Sequence, residues 1–161
     1  MMARLPSALV AFIPASDADC LAEPLADGRW IIAGTYALIL VGEDGVEDSG
    51  MWYEIASAKF TGVERALTVE WMDPARAALS AVMESGDPHV LMRRIADRVN
   101  HSIIIHKTTR LHNGTTIAAW VRRREDDRLF SALVAYGPLD ERAKREAERF
   151  EAVLREGVGL D

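Results

Sequence analysis

Three histidines fall within twelve positions, His101, His106 and His112 of "HSIIIHKTTRLH". Imidazoles this dense in sequence can hold a divalent metal or relay a proton. The surrounding chain tests both. "SIIIHKTTRL" and "TTIAAWVRRR" read as two strands joined at His112-Asn113-Gly114, because Asn-Gly suits the tight turns of antiparallel hairpins. Neighbouring strand residues point to opposite faces, so His101 and His106, an odd number apart, face opposite ways. His106 and His112 share parity but would stand about 20 Å apart along an unbroken strand, whereas each ligand nitrogen of a zinc lies about 2 Å from the metal. No CxxC, HxxxH or HxH spacing occurs, and Cys20 is distant in sequence. The residues predict no metal site here.

The same hairpin ends in "VRRRED", where alternation puts Arg122 and Arg124 on the face of Trp120 and turns Arg123 to the face of Val121 and Ala119. Two guanidinium groups beside an indole suit a phosphate or a stacked base. Glu125, Asp126 and Asp127 follow at once and neutralise the cluster, and charge at a strand end also discourages edge pairing. Trp120, Arg122 and Arg124 are therefore read as candidates for contact with a partner protein at a sheet edge. Arg93, Arg94 and Arg98 add basic charge on the preceding segment, diluted by Asp97 one turn after Arg93.

Nucleophilic chemistry has less support. No G-x-S-x-G surrounds a serine, and Cys20 has no histidine nearby in sequence. "GEDGVEDSG" has glycines, but its Glu and Asp residues would repel a phosphate, and its spacing does not match an EF-hand loop. It reads as an exposed polar turn. No catalytic residue and no cofactor are expected, and the chain is read as not an enzyme.

The elements that must position these residues come from composition and periodicity. A chain of 161 residues with 49% hydrophobic and 27% charged content suits one globular domain with a core of its own. A single cysteine excludes an internal disulfide framework, and a cytoplasmic location is the expectation. "MMARLPSALVAFIPASDADC" has too short an apolar run for a secretory signal, and no stretch is long and apolar enough to span a bilayer. A net charge of −6 argues against nucleic acid as partner.

Along the chain, short apolar runs begin with "LVAFI" and continue after the turn signal Asp27-Gly28 as strands over Trp30 to Ala33 and Ala37 to Val41. "MWYEIASAKF" and "ALTVEWM" read as further strands, the second with Leu67, Val69 and Trp71 on one face. Residues 75–83 leave strand and helix both open, since alanine and leucine favour helix within a meander of strands. A helix follows from Asp87, with Leu91, Met92, Ile95 and Val99 as its apolar stripe. After the three strands of the hairpin region and "RLFSALVAY", a last helix carries Asp140 as cap, Ala143, Ala147, Phe150 and Leu154 as buried stripe, and Gly157 at its stop. Glu141 with Arg145 and Glu151 with Arg155 suit ion pairs one turn apart.

The order "DGRWIIAGTYALIL", "MWYEIASAKFTGVERALTV", "DRVNHSIIIHKTTRL" resembles a group of small, largely uncharacterised actinobacterial proteins whose first half is similar to bacterial pleckstrin-homology (PH)-like domains. Trp52 to Ile55 matches a W-x-x-I strand, Leu67 to Val69 an L-x-V strand, and Arg98, Val99, Ser102 and Ile103 an R-V-x-x-S-I helix-to-strand junction. The resemblance implies a strongly bent antiparallel sheet with a capping helix, a scaffold similar to modules that bind peptides, proteins or phosphoinositides. The acidic early loops lack the basic strand and loop of lipid-binding members, which argues against phosphoinositide binding.

The expected fold is α+β: residues 1–86 a PH-like antiparallel β meander, residues 87–161 a helix, a three-stranded antiparallel sheet and a C-terminal helix, packed as one compact unit. The expected function is a non-catalytic cytosolic protein-interaction, scaffold or regulatory role, with a protein partner or self-association. The alternative is small-ligand binding in a pocket between the first sheet and the helix from Asp87, with Arg98 and Ser102 as polar contacts.

Overall fold

The computed structural model describes residues 4–17 and 19–160. Strands of four to eight residues form three antiparallel sheets. The first contains β1 (Leu21–Pro24), β2 (Trp30–Ala33), β3 (Ala37–Gly42) and β4 (Gly45–Met51) in that spatial order. Gly28 at φ +90° and Gly45 at φ +135° supply the left-handed backbone that the β1–β2 and β3–β4 turns require. Every residue of β3 is buried. On one face Ala22, Ile32, Ala37, Ile39 and Val41 pack with Leu9 of the short helix α1 (Ser7–Val10).

The β2–β3 turn is pinned from a distance in sequence. Asp17 is buried, and its Oδ1 accepts from the backbone N–H groups of Tyr36 at 2.7 Å and Ala37 at 3.2 Å. A Cβ on Gly34 would lie 2.5 Å from that oxygen, so the close approach needs glycine.

The second sheet orders β5 (Ile55–Thr61), β6 (Ala66–Trp71) and β7 (Leu79–Val82). Leu67, Val69 and Trp71 are buried, as their alternation predicts. An isolated bridge between Leu25 and Met83, with Ala26 N–H donating to Val82 C=O, ties the end of β1 to the end of β7. The helix α2 (His89–Ser102) follows, with Leu91, Ile95 and Val99 buried.

The third sheet holds β8 (Ile103–Arg110), β9 (Thr116–Arg123) and β10 (Leu129–Ala135) in the order β10-β9-β8. Gly114 at φ +85° completes the β8–β9 turn foreseen at Asn113-Gly114. Helix α3 (Glu141–Gly157) is capped by Asp140, whose side chain accepts from Ala143 N–H at 2.7 Å. Ala143 and Ala147 pack with Leu111 and Ile117, with Leu133, Ala135 and Phe150 against them.

The α+β class stands, with the three sheets antiparallel and no closed barrel among the described residues. The chain divides into two units, residues 1–71 with 76–100 and residues 72–75 with 101–161. The boundary after the first unit lies near the end of α2. Two local expectations change and one open segment is resolved. "LVAFI" holds the single helical turn of α1, bounded by Pro6 and Pro14. "GEDGVEDSG" is a turn followed by β4, whose exposed and half-buried residues, Glu47 and Asp48 among them, give no apolar alternation to read. The open segment 75–83 resolves as strand β7 at Leu79–Val82, with Leu79, Ala81 and Met83 buried in alternation.

Candidate functional site

Two of the predicted contact residues, Trp120 and Arg122, share one face of the third sheet. Register places His106 of β8 opposite Trp120 of β9, and Ile103 opposite Arg122. The His106 ring stacks on the Trp120 indole, with centroids 3.6 Å apart and planes at 12°. The Arg122 guanidinium lies over the same indole at 4.9 Å, two residues along β9. Its Nη2 donates to Ser102 Oγ at 2.6 Å, where α2 hands over to β8. A guanidinium, an indole, an imidazole and a hydroxyl are thus joined by the strand period and one hairpin register.

Burial sets their chemistry. Arg122 is fully buried, and desolvation lowers its pKa to about 10, still protonated at neutral pH. His106 is more exposed, with one ring face on Trp120, and its pKa is lowered first by desolvation and then by the Arg122 charge. The imidazole is held toward its neutral form beside a fixed cation. The Trp120 indole N–H is buried with no hydrogen-bond partner among the described residues. The cluster can hold its sheet face rigid and fix a positive charge inside it.

Position corrects the expected placement. β9 is the central strand of its sheet, so Trp120 and Arg122 do not stand at a sheet edge, and both are buried. Arg124 lies just beyond β9 in the exposed turn, its guanidinium 4.5 Å from the Phe130 ring centre. Of the pair read as ligand contacts, Arg98 is half-buried on α2, while Ser102 is buried and already accepts from Arg122. No group of three or more metal-ligating side chains occurs among the described residues. A cleft of about 480 Å³ is lined by Asp27–Arg29 of the β1–β2 turn and Glu43–Glu47 of the β3–β4 turn and the start of β4. Arg29 pairs there with Asp27 at 2.7 Å and Glu47 at 3.3 Å.

Sequence reading missed a second cluster. Arg76, in the β6–β7 connection, lies 3.6 Å from the Trp71 ring centre and bonds both Asp48 Oδ1 and Ser49 C=O of β4 at 2.7 Å. Gly50 makes room for the indole, since a Cβ there would come within 2.2 Å of it. Nothing near Arg76 in sequence announces contact with a strand 27 or 28 residues earlier.

No protein-family model matches the chain, and no curated protein or solved structure is significantly similar to it.

Proposed function

We propose that the chain is a non-catalytic, cytosolic protein-interaction module with a PH-like first unit that takes an extended segment of a partner protein on the outer edge of β5. Its strands run four, then three, and a helix follows, an order that suits the PH-like reading. The observation that supports the docking mode is the contrast between two edges. On β4, Glu47 and Asp48 charge the strand, and Arg76 occupies Ser49 C=O. On β5, Lys59 is the one charge in seven residues, and no strand of the described residues pairs beyond it.

Hydrogen-bond parity says what that edge offers. Met83 N–H donates to Arg65 C=O, so odd residues of β6 bond β7 and even ones bond β5. Ser57, Lys59 and Thr61 stand opposite the even set, and Ala58 and Phe60 turn their N–H and C=O groups outward. An added strand would find main-chain partners at Ala58 and Phe60 and an apolar side chain at Phe60.

The test replaces Lys59 with a photoreactive side chain in the native host and combines it with Ala58→Pro, which removes an outward N–H and leaves the β6 ladder intact. One protein cross-linked at position 59, and lost with a folded Ala58→Pro chain, supports the reading. A partner retained at equal yield by Ala58→Pro, or no cross-link at all, overturns it.

A further inference from the structure

The third sheet has a different open edge. β10, Leu129 to Ala135, has no charged residue, and no strand of the described residues pairs with its outer side. The opposite edge, β8, carries His106, Lys107 and Arg110. Long uncharged edge strands invite pairing and are seldom left bare. Tyr136, the next residue after β10, is 56% exposed.

Parity again identifies the free groups. Tyr136 N–H donates to Thr116 C=O, and Arg124 N–H to Arg128 C=O, continuing the β9–β10 ladder at its two ends. Even residues of β10 therefore bond β9, and the odd ones turn N–H and C=O outward: Leu129 at the start of the strand, then Ser131, Leu133 and Ala135. The last three are symmetric about Leu133. We propose that two copies of this chain pair β10 with β10, antiparallel and centred on Leu133, to form one continuous sheet with three strands from each copy.

In that register Leu133 meets Leu133 of the second copy, and Ser131 meets Ala135 in both directions. Each pair exchanges two main-chain hydrogen bonds, so every outward group of the three residues is satisfied. Like meets like at a two-fold interface, which makes a neutral strand fit its own copy where the basic β8 would repel itself. Tyr136 falls opposite Phe130 of the second copy, giving the exposed phenol an aromatic neighbour. The side chains of Ser131, Leu133 and Ala135 stay engaged with α3: Leu133 and Ala135 pack in its core, and Ser131 Oγ accepts from Arg155 and donates to Glu151. The strand needs no rearrangement to pair.

The test is sedimentation equilibrium of the full chain over a concentration series, with amide exchange followed residue by residue. The expected result is a doubled mass with concentration-dependent protection of the Ser131, Leu133 and Ala135 amides. Ala135→Pro removes one outward donor and leaves the β9 ladder intact, and is expected to abolish the dimer. Tyr136→Ala, in an exposed position, is expected to weaken it about three- to tenfold. Thr108→Pro on the outer side of β8 is expected to change nothing. A monomer at every concentration overturns the proposal, as does a dimer that survives folded Ala135→Pro. If Ala135→Pro unfolds, the wild-type amides decide: fast exchange at Leu133 in a dimeric sample also overturns it. The outcome is independent of whether β5 takes a partner.

Discussion

The imidazole of His106 stacks on the indole of Trp120, 3.6 Å between ring centres, while the buried Arg122 guanidinium lies over the same indole. Burial and that neighbouring cation disfavour the charged imidazole in the folded state. Because the folded pKa lies below the unfolded one, the unfolded chain takes up the proton first as pH falls. Stability from this group is full above the unfolded value, near 6.5, and is lost as pH falls through the lower folded value. His106→Phe keeps a stacking ring and cannot titrate. Melting temperatures of the two proteins between pH 7.5 and 5, on the order of steps of half a unit, are expected to converge in favour of His106→Phe at the acid end. Parallel curves would reject the coupling.

Arg122 is a structural cation in this geometry. Truncation to alanine removes the guanidinium from Trp120 and from Ser102 Oγ and opens a cavity in the centre of the sheet. The expected cost is about 3 kcal/mol in urea unfolding. Arg122→Met fills most of the volume without a buried charge and should cost much less, because a buried cation repays its desolvation poorly. If alanine and methionine are equally destabilising, the charge itself carries the stability.

How far these features were legible in the sequence depends on the range of the contacts. Strands β2, β3, β6 and α3 were readable because alternation or helical spacing is local: Leu67, Val69 and Trp71 announce their face within five residues. The Asn113-Gly114 turn was readable for the same reason. β4 was hidden because its own residues are exposed or half-buried apart from Gly50, and acidic residues suit an edge strand as well as a loop. Trp120 and Arg122 were rightly placed on one face. Whether that face is buried depends on strand order, and no residue of "TTIAAWVRRR" records that β10 pairs on its far side. The ion pairs expected on α3 show the same limit: Glu141 pairs with Lys144, and Glu151 and Arg155 converge on Ser131 from another element.

Asp17 joins segments that local reading treats separately. Removing its carboxylate by Asp17→Ala leaves the N–H groups of Tyr36 and Ala37 without their acceptor. The expected loss is about 2 kcal/mol. Asp17→Asn retains Oδ1 as an acceptor and should lose less than half of that, so the pair of unfolding curves separates hydrogen bonding from charge.

Arg76 links two open features of the first unit, the buried Trp71 ring and the outer side of β4. Its bond to Ser49 C=O occupies an outward main-chain acceptor, and its ion pair with Asp48 holds the guanidinium there. The arginine is partly exposed, so the ion pair is screened and the main contributions are the contact with Trp71 and the carbonyl bond. Arg76→Ala should therefore cost only about 1 kcal/mol in chemical unfolding. Its larger effect is on association, because Ser49 is freed on a strand edge whose acids then lose their counter-charge. At low ionic strength Glu47 and Asp48 still repel a second copy, and the variant should stay soluble. Raised salt screens that repulsion, and light scattering is expected to grow with salt for Arg76→Ala and not for the wild type. Equal scattering from both proteins at every salt concentration would show that Arg76 does not guard the edge.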